Sequence, residues 1–182
     1  AESPEELSEA VGELGLPCIV KPDITTSGKG HVLLKHAEDV EEAWGMVRHV
    51  SPERKRVVVE RFVNFDYEVT LLAVRSIDPA TDKMATWFSE PIGHHHENGD
   101  LVESWQPMAM SEDALANARS VAARISNELG GRGVYGVELF VAGDDVYFSS
   151  VSPRPLDTAM LTGYTQRFSE FEPVSYTHLT LP

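Results

Sequence analysis

Glycines beside lysines make one short segment of the chain a candidate anion site. The segment Ser27-Gly28-Lys29-Gly30 lies between two apolar stretches, and Lys21 stands near the end of the first stretch. Glycine lets backbone N–H groups approach an anion closely, and a lysine supplies the opposite charge. Because no Ser or Thr follows Lys29, the segment is not a Walker A loop. The pattern predicts either a phosphate contact or a plain hairpin turn.

A carboxylate inside an apolar stretch and a proline-flanked arginine form a second candidate. Glu138 is the second residue of the run Val-Glu-Leu-Phe-Val at 137–141, and a carboxylate in such a strand needs a partner. A hard cation such as magnesium would satisfy it, as would an Arg or Lys ion pair. The segment 152–157 (Ser-Pro-Arg-Pro-Leu-Asp) presents Arg154 and Asp157, which form either a surface pair or part of a site.

Other titratable residues give weaker indications. Glu60 and Glu68 flank the junction between two strands, where each is expected to be solvated in the absence of other context. The run His94-His95-His96 contains metal-ligand residue types. Adjacent residues on a strand point to opposite faces, however, so three of them cannot converge on one ion. We therefore expect no metal site at the histidine run.

The elements that must position these residues follow the order of an α+β protein with mostly antiparallel strands. Capping residues and the helical spacing of apolar residues predict helices at 4–14, 38–50 and 112–129. Apolar stretches rich in β-branched residues predict strands at 18–22, 31–35, 56–63, 67–77, 84–92, 101–105, 133–141 and 146–151.

Composition excludes several functional classes. The chain has 182 residues, 42% of them hydrophobic, which is typical of a globular protein. Its 29 acidic and 15 basic residues give a formal charge of −14, which would repel a nucleic acid. No apolar run approaches the ~18 residues that cross a bilayer. The single cysteine, Cys18, fits a reducing, cytoplasmic location, and the acidic start without Met is consistent with a chain that begins inside a longer protein.

The order of these pieces resembles that of the ATP-grasp enzymes. Within them, four strings are similar to the formate-dependent phosphoribosylglycinamide formyltransferases of purine synthesis, and Glu-Ser-Trp-Gln-Pro is the most specific part. The strings lie at 65–72, 91–94, 100–107 and 151–158. The resemblance extends from about residue 12 to 171 and covers less than half of a full family member. It implies an incomplete α+β fold in which two subdomains, 1–60 and 61–171, grip ATP.

The resemblance also implies an activity. ATP and Mg²⁺ would drive the ligation of formate to glycinamide ribonucleotide, through formyl phosphate, in purine (IMP) biosynthesis. Such chemistry requires charge neutralisation around the transferred phosphoryl group and exclusion of water from a labile acyl phosphate. The implied partners are these small molecules, with no nucleic acid or membrane, and the full-length protein would be a homodimer.

The resemblance assigns roles residue by residue. Lys21 would bind the phosphates of the nucleotide, and Thr26, Ser27, Gly28, Lys29, Gly30 and His31 would close over them as a lid. The backbone hinge that would hold the adenine consists of Glu60, Arg61, Phe62 and Val63. Glu68 would accept hydrogen bonds from the ribose hydroxyls. Arg154 and Lys29 would face the transferred phosphoryl group as catalytic residues, Asp157 would meet the ribonucleotide, and Glu138 would ligate magnesium.

Two positions depart from the family pattern. The family has a second magnesium carboxylate where this chain has Ser150, and usually a histidine where it has Leu156. A serine hydroxyl can ligate magnesium but supplies no negative charge. We therefore expect Ser150 to make a weaker metal ligand and the chain to bind Mg·ATP poorly or turn over slowly.

The end of the chain departs as well. The family continues with a helix after Phe171, whereas residues 172–182 have scattered Thr and Pro and no helical stripe. This stretch reads as a non-native tail, such as a cloning or assembly scar.

Two other functions remain open. One is the ATP-grasp ligase that carboxylates aminoimidazole ribonucleotide with bicarbonate, which shares the grasp fold. The other is a non-catalytic nucleotide-binding remnant, which Ser150 and the incomplete fold favour.

Overall fold

The chain folds into two compact units. The structure, a computed structural model, describes residues 1–24, 30–50, 52–53, 56–97 and 100–178, and of 175–178 only the backbone. The first unit contains residues 1–63 and Asp100, and the second contains 64–97 and 101–178. Among the described residues, no helix has the length and apolar character needed to cross a membrane.

The first unit packs two helices against a small antiparallel sheet. In chain order its elements are α1 (Pro4–Leu14), β1 (Cys18–Pro22), β2 (Val32–Leu34), a 3₁₀-helix (Ala37–Asp39), α2 (Val40–Val50) and β3 (Val57–Arg61). The strand order is β2-β1-β3. Cys18 and Val20 on β1 lie in the same apolar core as Leu7 of α1 and Val47 of α2. Cys18 is fully buried as a small apolar residue of this core, and burial raises the pKa of its thiol.

Local sequence signals explain where α1 begins and ends. The Ser3 side chain accepts a hydrogen bond from the Glu6 backbone N–H at 3.2 Å, and Pro4 occupies the first turn, where no N–H partner is lost. Gly15 ends the helix with φ +80°, a conformation that costs glycine little. The helix predicted at 4–14 is therefore confirmed.

The second unit is a six-stranded antiparallel sheet with helices packed on it. In chain order its elements are β4 (Tyr67–Asp78), β5 (Lys83–Phe88), β6 (Ile92–Glu97), β7 (Asp100–Trp105), α3 (Glu112–Leu129), β8 (Gly133–Ala142), β9 (Asp145–Ser152), a 3₁₀-helix (Asp157–Ala159), α4 (Thr162–Thr165) and α5 (Phe171–His178). The strand order is β7-β6-β4-β8-β9, and β5 pairs with β4. Together the two units confirm the predicted α+β class with antiparallel sheets.

The two faces of the large sheet differ in chemistry. One face carries apolar residues of β4 and β8, such as Val69, Leu71 and Val137, which pack against the alanine stripe of α3. The opposite face carries Glu68 and Thr70, because side chains alternate along a strand. The face away from α3 thus carries Glu68 and Thr70 beside apolar residues such as Leu72, and we call it the polar face.

The structure corrects the strand predicted at 84–92. It forms two strands, β5 and β6, which pair with different parts of β4. The chain breaks between them at 89–91, where Pro91 has no N–H for a sheet ladder, and Ser89 instead exchanges hydrogen bonds with Leu72. The break moves the histidine run onto β6.

The structure also corrects the expectation that residues after Phe171 lack a helix. α5 runs from Phe171 to His178. Glu172 accepts hydrogen bonds from the backbone and hydroxyl of Ser169, at 2.5 and 3.0 Å, and Pro173 lies in the first turn, where it is tolerated. Capping thus overrides the weak apolar spacing. That residues 172–182 are a non-native tail stays a prediction.

Candidate functional site

An ion pair lies on the outer face of the small sheet. Lys21 Nζ is 2.6 Å from Glu60 Oε1, because the β1–β3 register sets Glu60 opposite Ile19, two residues from Lys21 on the same face. The side chains are 22% and 50% exposed, so the ion pair is partly open to solvent and contributes little to stability. The arrangement places an ammonium group where it is accessible to a phosphate.

His31 lies beside this pair. Its pKa is held below the usual histidine value, first by loss of surrounding water and then by the Lys21 ammonium, which Glu60 partly offsets. Gly30, just before it, has φ +80° and packs near Val50. The other predicted lid residues, Thr26, Ser27, Gly28 and Lys29, lie outside the described residues.

The predicted adenine hinge follows the end of β3. Arg61 is the last residue of β3 and is exposed, whereas Phe62 and Val63 are half-buried and irregular. The Phe62 N–H donates to the Pro17 carbonyl at 3.2 Å. This bond anchors the start of the hinge to the segment before β1.

Three titratable side chains converge on the polar face of the large sheet. His94 lies directly opposite Glu68 in the β4–β6 register, and His96 shares that face two residues on. Glu68 Oε2 is 3.2 Å from His94 Nδ1 and 2.9 Å from His96 Nδ1. Burial disfavours the charged carboxylate, but polar contact with the two imidazoles and their positive charge outweigh it and hold the pKa of Glu68 below its usual value.

This convergence corrects our reasoning on the histidine run. Alternation along a strand excludes three adjacent histidines from one ion, and His95 does project away and pairs with Glu97 at 3.5 Å. It does not exclude His94 and His96, which alternation places on the same face. The pairing of Glu68 with His94 depends on strand register, which the sequence did not reveal.

The predicted magnesium residues also share the polar face. Glu138 lies opposite Ser150 in the β8–β9 register and opposite Thr70 on β4. The Ser150 hydroxyl donates a hydrogen bond to Glu138 Oε2. A register shift between Glu138 and Leu139 marks a β-bulge, a feature that re-aims side chains near functional sites. Thus a partly buried carboxylate and a hydroxyl are held side by side.

The segment after β9 presents the two predicted polar groups to solvent. Arg154 and Asp157 are exposed, and an Arg154 guanidinium N–H donates to the Pro155 carbonyl at 2.8 Å. Leu156, between them, is buried against Leu72 and Ile92. It lies so close to Gly136 that a side chain at position 136 would collide with it. Leu156 therefore acts in packing at this position.

Glu170 is a residue that the sequence analysis missed. It is 2% exposed, its Oε2 accepts the Leu156 N–H at 2.9 Å, and its own N–H donates to Thr162 Oγ1 at 2.9 Å. Its Oε1 has no hydrogen-bond partner among the described residues. Burial raises the pKa of Glu170, and Asp157 adds to the rise, while the Leu156 N–H and Arg154 oppose it. The Ser-Glu-Phe-Glu sequence around it gave no apolar pattern that would have indicated burial.

We expect Glu170→Gln to remove a pH-dependent loss of stability. The pKa of Glu170 in the folded state lies above the ordinary value of 4.5. Below pH 4.5 the neutral carboxyl therefore contributes fully to the free energy of unfolding, and this contribution is lost as the pH rises through the folded-state pKa. Glutamine does not titrate. The melting temperature of the variant, minus that of the parent chain, should therefore rise with pH, by roughly 2–4 °C per kcal/mol.

Thermal unfolding followed by circular dichroism between acidic and mildly alkaline pH would measure this difference. Glu103→Gln, at an exposed position on β7, is the matched control. A difference that stays constant with pH for Glu170→Gln would contradict the assignment.

The structure thus groups the predicted site residues into two sets. The small sheet brings together Lys21, His31 and Glu60, and the large sheet aligns Glu68, Glu138 and Ser150 on one face. The first set offers cationic charge to phosphate groups, and the second offers oxygen ligands to a hard cation.

Comparison with known proteins identifies the family of the chain. A family model described as the ATP-grasp domain matches residues 1–171. A formate-dependent phosphoribosylglycinamide formyltransferase from Corynebacterium efficiens is 61% identical over 98% of this chain, which spans 44% of that protein.

Two solved structures resemble the fold. One is described as glycinamide-RNase-transformylase T from Mycobacterium tuberculosis, with 35% identity, a TM-score of 0.73 and coverage of 96% of this chain and 45% of the other. The other is N5-carboxyaminoimidazole ribonucleotide synthetase from Thermus thermophilus, with 30% identity, a TM-score of 0.81 and coverage of 100% and 46%. Because the family model matches nearly all of its length, the chain belongs to the ATP-grasp family.

Proposed function

We propose that this chain is the nucleotide-binding part of a formate-dependent phosphoribosylglycinamide formyltransferase. The observation that carries the proposal is its high identity, over nearly all of its length, to a relative of that name. The chain spans less than half of that relative, so the activity belongs to the longer protein. In that protein the regions 1–60 and 61–171 would be the two grasping subdomains. The resemblance extends the proposal to a homodimer, and the single cysteine favours a cytoplasmic location.

The first set of residues would bind the nucleotide. Lys21 is accessible and already pairs with a carboxylate, so it would bind the ATP phosphates. Residues 26–31 would close over them, with the glycines permitting the movement. Glu60 to Val63 would hold the adenine, and Glu68 would accept the ribose hydroxyls.

The second set would hold magnesium. Glu138 offers a partly buried carboxylate and Ser150 a hydroxyl, which are the oxygen donors that Mg²⁺ prefers, so the residues present fit the ion. When bound, Mg²⁺ would neutralise charge on the phosphates. Ser150 also donates a hydrogen bond to Glu138, and this interaction would have to be given up or shared on metal binding.

Phosphoryl transfer and formyl transfer would then follow in order. A formate oxygen attacks the γ-phosphorus and ADP leaves, which gives formyl phosphate. The amine of glycinamide ribonucleotide attacks the formyl carbon, phosphate leaves with the oxygen that came from formate, and the amine loses a proton. Arg154 and Lys29 would stabilise the transferred phosphoryl group, and Asp157 would contact the ribonucleotide.

A second candidate is the carboxylation of aminoimidazole ribonucleotide. It is favoured by the TM-score of the Thermus thermophilus synthetase, which exceeds that of the Mycobacterium tuberculosis transformylase. A non-catalytic remnant is the third possibility, favoured by Ser150 in place of a carboxylate.

Labelled formate would test the proposal in the complete protein that contains this chain. With ATP, magnesium and glycinamide ribonucleotide, heavy-oxygen formate should transfer its label to the released phosphate. Phosphate release that instead requires bicarbonate and aminoimidazole ribonucleotide would support the second candidate. Nucleotide binding without phosphate release under either condition would support the remnant.

A further inference from the structure

We propose that Glu68, His94 and His96 form a binding site for a late divalent transition-metal ion of the Zn²⁺ or Co²⁺ type. This site is distinct from the oxygen-ligand site at Glu138, because its donors include two imidazoles. Its existence does not depend on the proposed function; because that function assigns Glu68 to the ribose hydroxyls, the ion and the ribose would compete for this carboxylate.

The geometry of the three side chains is that of a compact ligand set. Their candidate ligand atoms all lie within 4.8 Å of one another, and no other group of three His, Cys, Asp or Glu in the described ranges meets that condition. Ligands of a tetrahedral ion at about 2.0–2.1 Å are roughly 3.4 Å apart. Glu68 Oε2 is 3.2 Å from His94 Nδ1 and 2.9 Å from His96 Nδ1, so only small shifts would admit the ion.

The burial and incomplete hydrogen bonding of His94 are a second observation. Its side chain is 3% exposed, its Nε2 has no hydrogen-bond partner among the described residues, and its Nδ1 meets only the Glu68 carboxylate, at 3.2 Å and without the geometry of a hydrogen bond. A buried polar group without a partner is costly, and a bound water or ion is one of the explanations for such a group. The Nδ1 atom faces the Glu68 carboxylate, where an ion bound between the two would satisfy both.

The chemistry of the donors selects the class of metal. Imidazole suits Zn²⁺, Co²⁺, Ni²⁺ and Cu²⁺, whereas Mg²⁺ requires oxygen ligands. Two imidazoles and one carboxylate are also a donor set of zinc sites with an open position. His96 is 32% exposed, which leaves a route from solvent on that side of the site.

Strand rigidity supports the site further. Glu68 and His94 are Cα partners on adjacent strands, and His96 lies two residues along β6. Ligands on paired strands are held closer to a productive geometry than ligands on loops. The rings of His94 and His96 are also fixed relative to each other, in an edge-to-face contact with 5.1 Å between centroids.

Cobalt titration of the 182-residue chain, prepared without a histidine tag, tests the proposal directly. Excess Mg²⁺ would first occupy oxygen-only sites. We expect one equivalent of Co²⁺ to give the intense visible absorption of a four-coordinate ion, and Zn²⁺ to displace it. His96→Gln should weaken Co²⁺ binding at least about tenfold, since changes even beyond the ligands cost ~10–100-fold.

His95→Gln is the matched control, because His95 is the adjacent histidine on the opposite face. It should retain the affinity and spectrum of the parent chain, and far-UV circular dichroism would confirm that both variants fold. Only the weak absorption of six-coordinate cobalt in the parent chain, or equal loss of affinity in the two variants, would overturn the proposal.

Discussion

Replacing Ser150 with glutamate should strengthen Mg²⁺ binding by about tenfold to a hundredfold. Position 150 faces Glu138 across the β8–β9 pair, and the serine hydroxyl already contacts the Glu138 carboxylate. Ser150→Glu would set a second negative charge beside the first. Without metal the two carboxylates repel each other, and with Mg²⁺ both can serve as ligands.

Calorimetric titration of Mg²⁺ in the presence of a non-hydrolysable ATP analogue would measure the change. Ser150→Gln is the matched control, since it adds the same length without charge. If both variants bind Mg²⁺ as the parent chain does, position 150 does not ligate the ion and the proposed metal site is wrong.

Replacing Lys21 with methionine should weaken ATP binding by about tenfold to a hundredfold, with little change for adenosine. Hydrogen bonds to charged groups contribute about 1.5–3 kcal/mol. Lys21, on β1, is partly exposed beside Glu60, where its ammonium group would contact the phosphates. Methionine keeps most of the apolar stem and removes the charge. Because adenosine has no phosphates, it separates loss of phosphate contact from general damage to the unit.

Fluorescence titration with the two ligands would give both affinities. Lys35→Met removes a lysine from the exposed position that follows β2 and tests the effect of net charge alone. Equal weakening of ATP and adenosine in Lys21→Met would show that the lysine stabilises the unit and does not contact phosphate.

The parts of the fold that could be predicted are those governed by local pattern. Helix α1 follows from Ser3, Pro4 and Gly15, which act within a few residues of one another. The apolar run around Glu138 predicts a strand at 133–141, and the structure forms β8 at Gly133–Ala142. In each case the determining residues are close in sequence.

The parts that could not be predicted depend on register and on distant contacts. Whether Glu68 meets His94 or a residue one position away is decided by the β4–β6 pairing, in which a slip of one residue would reverse the faces. Leu156 can pack where it does because Gly136, on β8, has no side chain that would collide with it. Neither contact leaves a periodic signal in the sequence.

The buried carboxylate of Glu170 has a consequence for where this protein can be divided. It holds the Leu156 backbone from 14 residues downstream, between the two exposed groups of Arg154 and Asp157. If the protein is truncated or recombined with a relative between residues 158 and 169, the segment 154–157 keeps its sequence but loses the Glu170 carboxylate that holds it. Exchange of segments among relatives should therefore keep these two segments together, with boundaries either before Arg154 or beyond Glu170.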